Sequence, residues 1–206
     1  MSNSFRTTNS TGLINKDKKI NFTFNGTIYH GYEGDTLASA LIANGVHLVG
    51  RSFKYHRPRG FLGVGVEEPN AMVQLHDGNK SEPNIIATEV ELVEGLKAKS
   101  QNCWPSVQFD IGEINNVLNR FFPAGFYYKT FMWPKSFWMK IYEPFIRKAA
   151  GMGKAPLLPD PDRYEHNYEH CDVLVVGSGP SGLASALAAA KNGCLLYTSD
   201  AADEHS

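Results

Sequence analysis

The chain has 206 residues, and its 20 Lys plus Arg against 21 Asp plus Glu leave a formal net charge of −1. No bulk field therefore points to nucleic acid or an anionic membrane, and no apolar run is long enough to span a bilayer. Cys103, Cys171 and Cys194 are far apart with no C-x-x-C between them, which speaks against a disulfide framework or a cysteine metal cluster. The polar start MSNSFRTTNSTG lacks an apolar signal core, so residues 1–19 read as a disordered lead-in and the protein as cytoplasmic.

Residues 20–100 read as one small mixed domain. Ile20 to Phe24 alternates apolar and polar, Asn25-Gly26 signals a type I′ turn, and Thr27 to Tyr32 pairs back. Gly34-Asp35-Thr36 supplies a helix N-cap, and Leu37 to Asn44 is a short helix stopped at Gly45. Further strands are expected at Ala71 to His76, with Asp77-Gly78 as a turn, and at Ile85 to Val93. Hairpin, helix, then more strands is the order of a β-grasp, in which a small sheet curls over one helix. The scattered histidines His30, His47 and His76 read as structural or surface groups.

Between helix and later strands lies SFKYHRPRG, Ser52 to Gly60, where basic residues and aromatics interleave. Such a stretch suits an anion or nucleic-acid patch, but in a chain that is not basic overall it reads better as a loop at a protein or cofactor interface. The glycine-rich segment Phe61 to Asn70 follows. Plant-type 2Fe–2S proteins carry C-x4-C-x2-C here, and this chain keeps the spacing with Leu62, Glu67 and Asn70 in place of the thiolates. The expectation is a ferredoxin-like domain without an iron–sulfur cluster.

Residues 101–170 form a less regular, aromatic-rich linker. Helices are expected at Ile111 to Phe122 and Phe137 to Ala149, separated by the aromatic run Pro123 to Pro134. That run serves better as packing against neighbouring domains or subunits than as a cofactor box. Pro156, Pro159 and Pro161 stiffen the connector that ends near Tyr168.

Residues 171–193 carry the clearest motif. Asp172 to Val176 is a short β-branched strand, Leu183 to Lys191 an Ala/Leu-rich helix, and Asn192-Gly193 a helix stop. Between them stand Gly177, Ser178, Gly179, Pro180, Ser181 and Gly182, the G-x-G-x-x-G of a dinucleotide loop. Gly177 serves the tight turn, Gly179 the approach of a pyrophosphate and Gly182 close strand–helix packing, while the helix N-terminus faces the anion. The start of a Rossmann dinucleotide-binding domain is the expectation. Residues 194–206 break the pattern: Ser199 to Glu204 is polar and Ala-rich, so no second strand is expected, and neither Asp200 nor Glu204 reads as the ribose ligand. The wording CLLYTSDAADE resembles translated read-through of a sequencing-library adapter, so this tail reads as non-native.

SFKYHRPRG, EEPNA, AGFYYKTFMWP, IRKAAGMGKAP, DPDRYEH and CDVLVVGSGPSGL together resemble the α subunit of heterotetrameric sarcosine oxidases. The related N-methylglutamate dehydrogenase large subunit is similar enough to stay open. The resemblance implies an N-terminal fragment of a subunit with NAD on its Rossmann domain, with FAD and FMN in the assembled complex. It implies β, γ and δ subunits as partners, sarcosine and tetrahydrofolate as small-molecule partners, and neither nucleic acid nor membrane. The activity implied is oxidative demethylation of sarcosine to glycine, with the one-carbon unit passed to tetrahydrofolate and electrons to oxygen. No residue of this chain reads as a catalytic acid, base or nucleophile, so the fragment alone is expected to be inactive. A non-catalytic adaptor that docks a flavin subunit is the reading from another class.

Overall fold

The computed structural model describes residues 5–7, 12–121, 125, 131–151, 153, 156–159, 161, 163, 166 and 168–199. It divides into two compact units, residues 1–161 and 162–206. The first is an α+β unit built on a five-stranded mixed sheet.

Strand β1 (Asn15–Phe24) turns through Asn25 and Gly26, both at positive φ, into β2 (Thr27–Glu33). Alternation decides which face is covered: Ile20, Phe22 and Phe24 are buried, whereas Asn21 lies exposed between them. Helix α1 (Leu37–Ala43) starts on a capping box, Thr36 Oγ1 accepting from the Ser39 amide and Ser39 Oγ from the Thr36 amide. Its Leu37, Ala38, Ala40 and Leu41 enter the core formed with Phe22, Phe24, Val73 and Leu92.

Strands β5 (Met72–Leu75), β6 (Glu82–Ile86) and β7 (Lys97–Ser100) complete the sheet in the order β2-β1-β7-β5-β6. The β1–β7 pair is parallel and the others antiparallel. A two-residue ladder, β3 (Gly50–Arg51) with β4 (Pro58–Arg59), stands beside it. The expected strand at Ile85 to Val93 is displaced: the pairing segment is Glu82–Ile86, and residues after it turn, with Glu91 bridging only Thr36.

Four further features differ from the sequence expectation. The described residues of the lead-in are docked rather than detached: the Phe5 amide donates to the Ala43 carbonyl at 3.1 Å, and Arg6 pairs with the buried Asp35. Strand β1 also begins at Asn15 rather than Ile20. The first expected linker helix is broken into a 3-10 turn (Ile111–Glu113), helix α2 (Ile114–Val117) and another 3-10 turn (Asn119–Phe121). The second consists of a 3-10 turn (Lys135–Phe137), a π turn (Trp138–Tyr142) and helix α3 (Glu143–Ala150). Most of the aromatic run Pro123 to Pro134 lies outside the described residues.

In the second unit, β8 (Val173–Val176) leads through the glycine loop into helix α4 (Pro180–Lys191), and the chain returns as β9 (Leu196–Ser199). Strand β9 pairs parallel to β8 from Val173↔Leu196 to Val176↔Ser199. The expectation of no strand after Gly193 is thereby corrected. Leu196, Tyr197 and Thr198 are apolar, aromatic and β-branched, and that composition suffices for a short strand once a parallel neighbour is present.

Candidate functional site

The loop after β8 is shaped by two glycines. Gly177 sits at φ +102°, a conformation that side chains resist, and so allows the chain to leave the strand sharply. A Cβ on Gly182 would fall 2.0 Å from the Gly177 carbonyl oxygen, so the crossing of helix over strand requires a residue without one. Gly179 differs: a Cβ there would meet nothing within 4 Å, so the space beside the loop is open. Gly179 caps α4 with extended backbone and no side-chain hydrogen bond, and Pro180 occupies the first turn. The first-turn amides of Ser181 and Gly182 have no partner within the helix, and they share its positive dipole end. These six residues thus form a turn whose amides and open side suit an anion. Asp200 and Glu204 lie outside the described residues.

In the first unit the glycine-rich loop at 62–71 is organised by two carboxylates. Glu68, 2% exposed, accepts backbone amides from Leu62 (2.6 Å), Gly63 (2.5 Å), Asn70 (2.7 Å) and Ala71 (3.2 Å). Burial pushes its pKa up, but the four amide hydrogen bonds together outweigh burial and hold it below the ordinary value. Glu67 accepts from Val64 and Gly65, and the amide bonds to its carboxylate, led by that from Val64, likewise lower its pKa.

Sequence reasoning missed a polar cluster that fastens residues 101–116 to the sheet domain. Arg51 is buried, with Nε on the Val107 carbonyl, Nη1 on the His56 carbonyl and Glu113, and Nη2 on the Gln108 carbonyl. His56 Nδ1 lies 2.6 Å from Asp110 Oδ2, and Asp110 Oδ1 accepts from the amides of Trp104 and Gly112. Burial, with a smaller contribution from Asp110, raises the pKa of the nearby Cys103 thiol against the opposing Arg51 charge. Apart from the His56 carbonyl, five residues away, the partners of the Arg51 guanidinium lie 56 to 62 residues from it, and Asp110 lies 54 from His56, separations that no local pattern reports. The basic loop holds two cations over Tyr55, Lys54 at 4.9 Å and Arg57 at 4.8 Å from the ring centre.

A mixed sheet over one helix, with a glycine-rich loop between them, defines a ferredoxin-like domain, and residues 17–103 match the family described as "2Fe-2S iron-sulfur cluster binding domain". This match corrects the expectation of a domain without an iron–sulfur cluster, because the matched family is one that binds it. The side chains do not meet the usual demand of four thiolates. Leu62 is apolar, and Glu67 and Glu68 are occupied by backbone amides.

The whole chain points further. Over 92% of its length it is 58% identical to sarcosine oxidase subunit alpha of Rhizobium meliloti (strain 1021). Over 91% it is 30% identical to the same subunit of Corynebacterium sp. (strain U-96). The resemblance to sarcosine oxidase α subunits is thus shown across nearly the full sequence. The chain spans 19% and 15% of the length of these two relatives. The solved structure of L-proline dehydrogenase from P. horikoshii is 26% identical, covering 41% of this chain and 16% of that one, with a TM-score of 0.32.

Proposed function

We propose that this chain is part of the α subunit of a multi-subunit, flavin-dependent amine oxidoreductase of the sarcosine oxidase type, and that Gly177 to Gly182 holds the pyrophosphate of NAD. Identity of 58% over 92% of the chain carries the first half of this reading. The start of α4, which has no side-chain capping hydrogen bond and lies beside the open side of Gly179, supports the second. In the assembly, sarcosine is oxidised to glycine, the one-carbon unit passes to tetrahydrofolate and electrons pass to oxygen. FAD and FMN belong to the complex formed with the β, γ and δ subunits, in the cytoplasm.

NAD, when bound, supplies a two-electron redox couple. This chain's contribution is to hold and orient it: the first-turn amides of α4 donate to the pyrophosphate, Gly179 admits its oxygens to the backbone, and Gly182 keeps the helix against the strand. One observation favours an additional docking role. Trp104, Phe109, Val117, Phe121 and Trp133 are mostly exposed, more aromatic and apolar surface than a chain without partners carries in one segment.

Calorimetric titration of the full chain with NAD and with FAD tests the assignment. One-to-one NAD binding that is abolished in Gly179→Val, whose side chain would fill the open space beside the loop, with far-UV circular dichroism unchanged, is the expected result. No saturable heat with NAD removes the assignment, and binding of FAD alone transfers the loop to the flavin.

A further inference from the structure

A cavity of about 200 Å³ lies in the first unit between the β3–β4 ladder, the end of the glycine-rich loop and the start of the linker. Its walls include Phe53, Arg59, Asn70, Met72, Asn84 and Asn102. Among the described residues no Asp or Glu lines it. Two guanidinium groups border it and differ in their commitments. Arg51 is spent on three carbonyls and Glu113. Arg59 is exposed, and its side chain makes no hydrogen bond or ion pair among the described residues.

The amides add donors. Asn84 Oδ1 already accepts from Gln101 Nε2 at 2.9 Å and from the Gly153 amide at 3.0 Å, which leaves Nδ2 as its unused group. The Asn70 side chain has no hydrogen-bond partner among the described residues. Asn102 gives Nδ2 to the Arg51 carbonyl, and its Oδ1 is screened from solvent, so Arg59, Asn70 and Asn84 carry the inference.

We propose that this cavity is a binding site for a small organic carboxylate. The charge follows from Arg59 with no opposing acid in the wall, and the preference for acceptor oxygens from the two carboxamides. Phe53 and Met72 give the ligand's carbon skeleton an apolar surface. Size restricts the class: pockets for drug-sized ligands run from about 300 to 1,000 Å³, so this one admits a molecule of a few heavy atoms and excludes a nucleotide. The site is independent of the dinucleotide loop, and a failure of either reading leaves the other standing.

The test is titration of the full chain with propionate at fixed ionic strength, followed by two-dimensional amide NMR. Arg59→Gln removes the cation of the wall, and Arg57→Gln removes a neighbouring cation that does not line the cavity. The expected result is saturable shifts that include Asn70 and Asn84, with affinity weakened about tenfold or more by R59Q and less than twofold by R57Q. Shifts that do not saturate, or that weaken equally in both variants, overturn the proposal. Chloride at the same ionic strength is the control, and equal shifts with chloride also overturn it.

Discussion

The sheet domain and the βαβ unit at 172–199 obey the same local rules and differ in what their apolar faces meet. In the first, Phe22, Phe24, Leu37, Leu41, Val73 and Leu92 close into one buried core. In the second, Leu174, Val176, Leu183 and Leu187 are each more than half exposed, although strand, turn, helix and register are all regular. Local geometry is therefore set by short-range chemistry, while stability comes from a second layer that only the first region possesses. The chain spans a fifth or less of its relatives' length, and a nucleotide-binding sheet takes more strands than two.

The largest effect that sharpens this contrast comes from paired truncations. Phe22→Ala, in the buried core, should cost about 3–5 kcal/mol in urea unfolding of the full chain. Leu187→Ala, more than half exposed on α4, should stay within about 0.5 kcal/mol. Equal losses would mean that the two regions share one core.

Next comes Glu68→Gln, which replaces an acceptor of four amides with one that leaves some of them unpaired, at a cost of about 1–3 kcal/mol. Because the folded-state pKa of Glu68 is lowered, its contribution is present above the unfolded value of 4.5 and disappears as pH falls through the folded one. The wild-type chain should thus lose stability on acidification more steeply than E68Q. Parallel acid limbs would remove Glu68 from the account.

Gly182→Ala and Gly179→Ala then separate fold from site within the second unit. The former puts a Cβ against the Gly177 carbonyl and should displace α4, loosening the loop at about 1–3 kcal/mol of local overpacking. The latter meets nothing and should leave circular dichroism unchanged while weakening NAD binding. The smallest effect belongs to Glu143→Gln. It breaks an exposed i,i+4 pair with Arg147, and about 0.3–0.5 kcal/mol is expected from thermal unfolding.

Much of the fold was legible because its cues are local. The Asn25-Gly26 hairpin, the capped α1 and the G-x-G-x-x-G turn each depend on neighbours within a few residues. Strand β7 was missed because Lys-Ala-Lys-Ser offers a single buried residue, Ala98, and its pairing comes from β1 and β5. Strand β9 was missed for the same reason, since its partner β8 decides it. The Arg51 and His56–Asp110 contacts were invisible because they join segments more than fifty residues apart. Glu68 stood in plain view within the loop, but its role rests on amides from both sides of the turn.

Native-state hydrogen exchange of the full chain, read residue by residue, tests the contrast most directly. The amides of β1 and β7, such as those of Phe24 and Ala98, should exchange only through global unfolding. Those of Val173 to Val176 should exchange by local opening orders of magnitude faster, and slow when saturating NAD is added. Protection of β8 equal to that of β1 without NAD would contradict the account, because the βαβ unit would then have a core of its own.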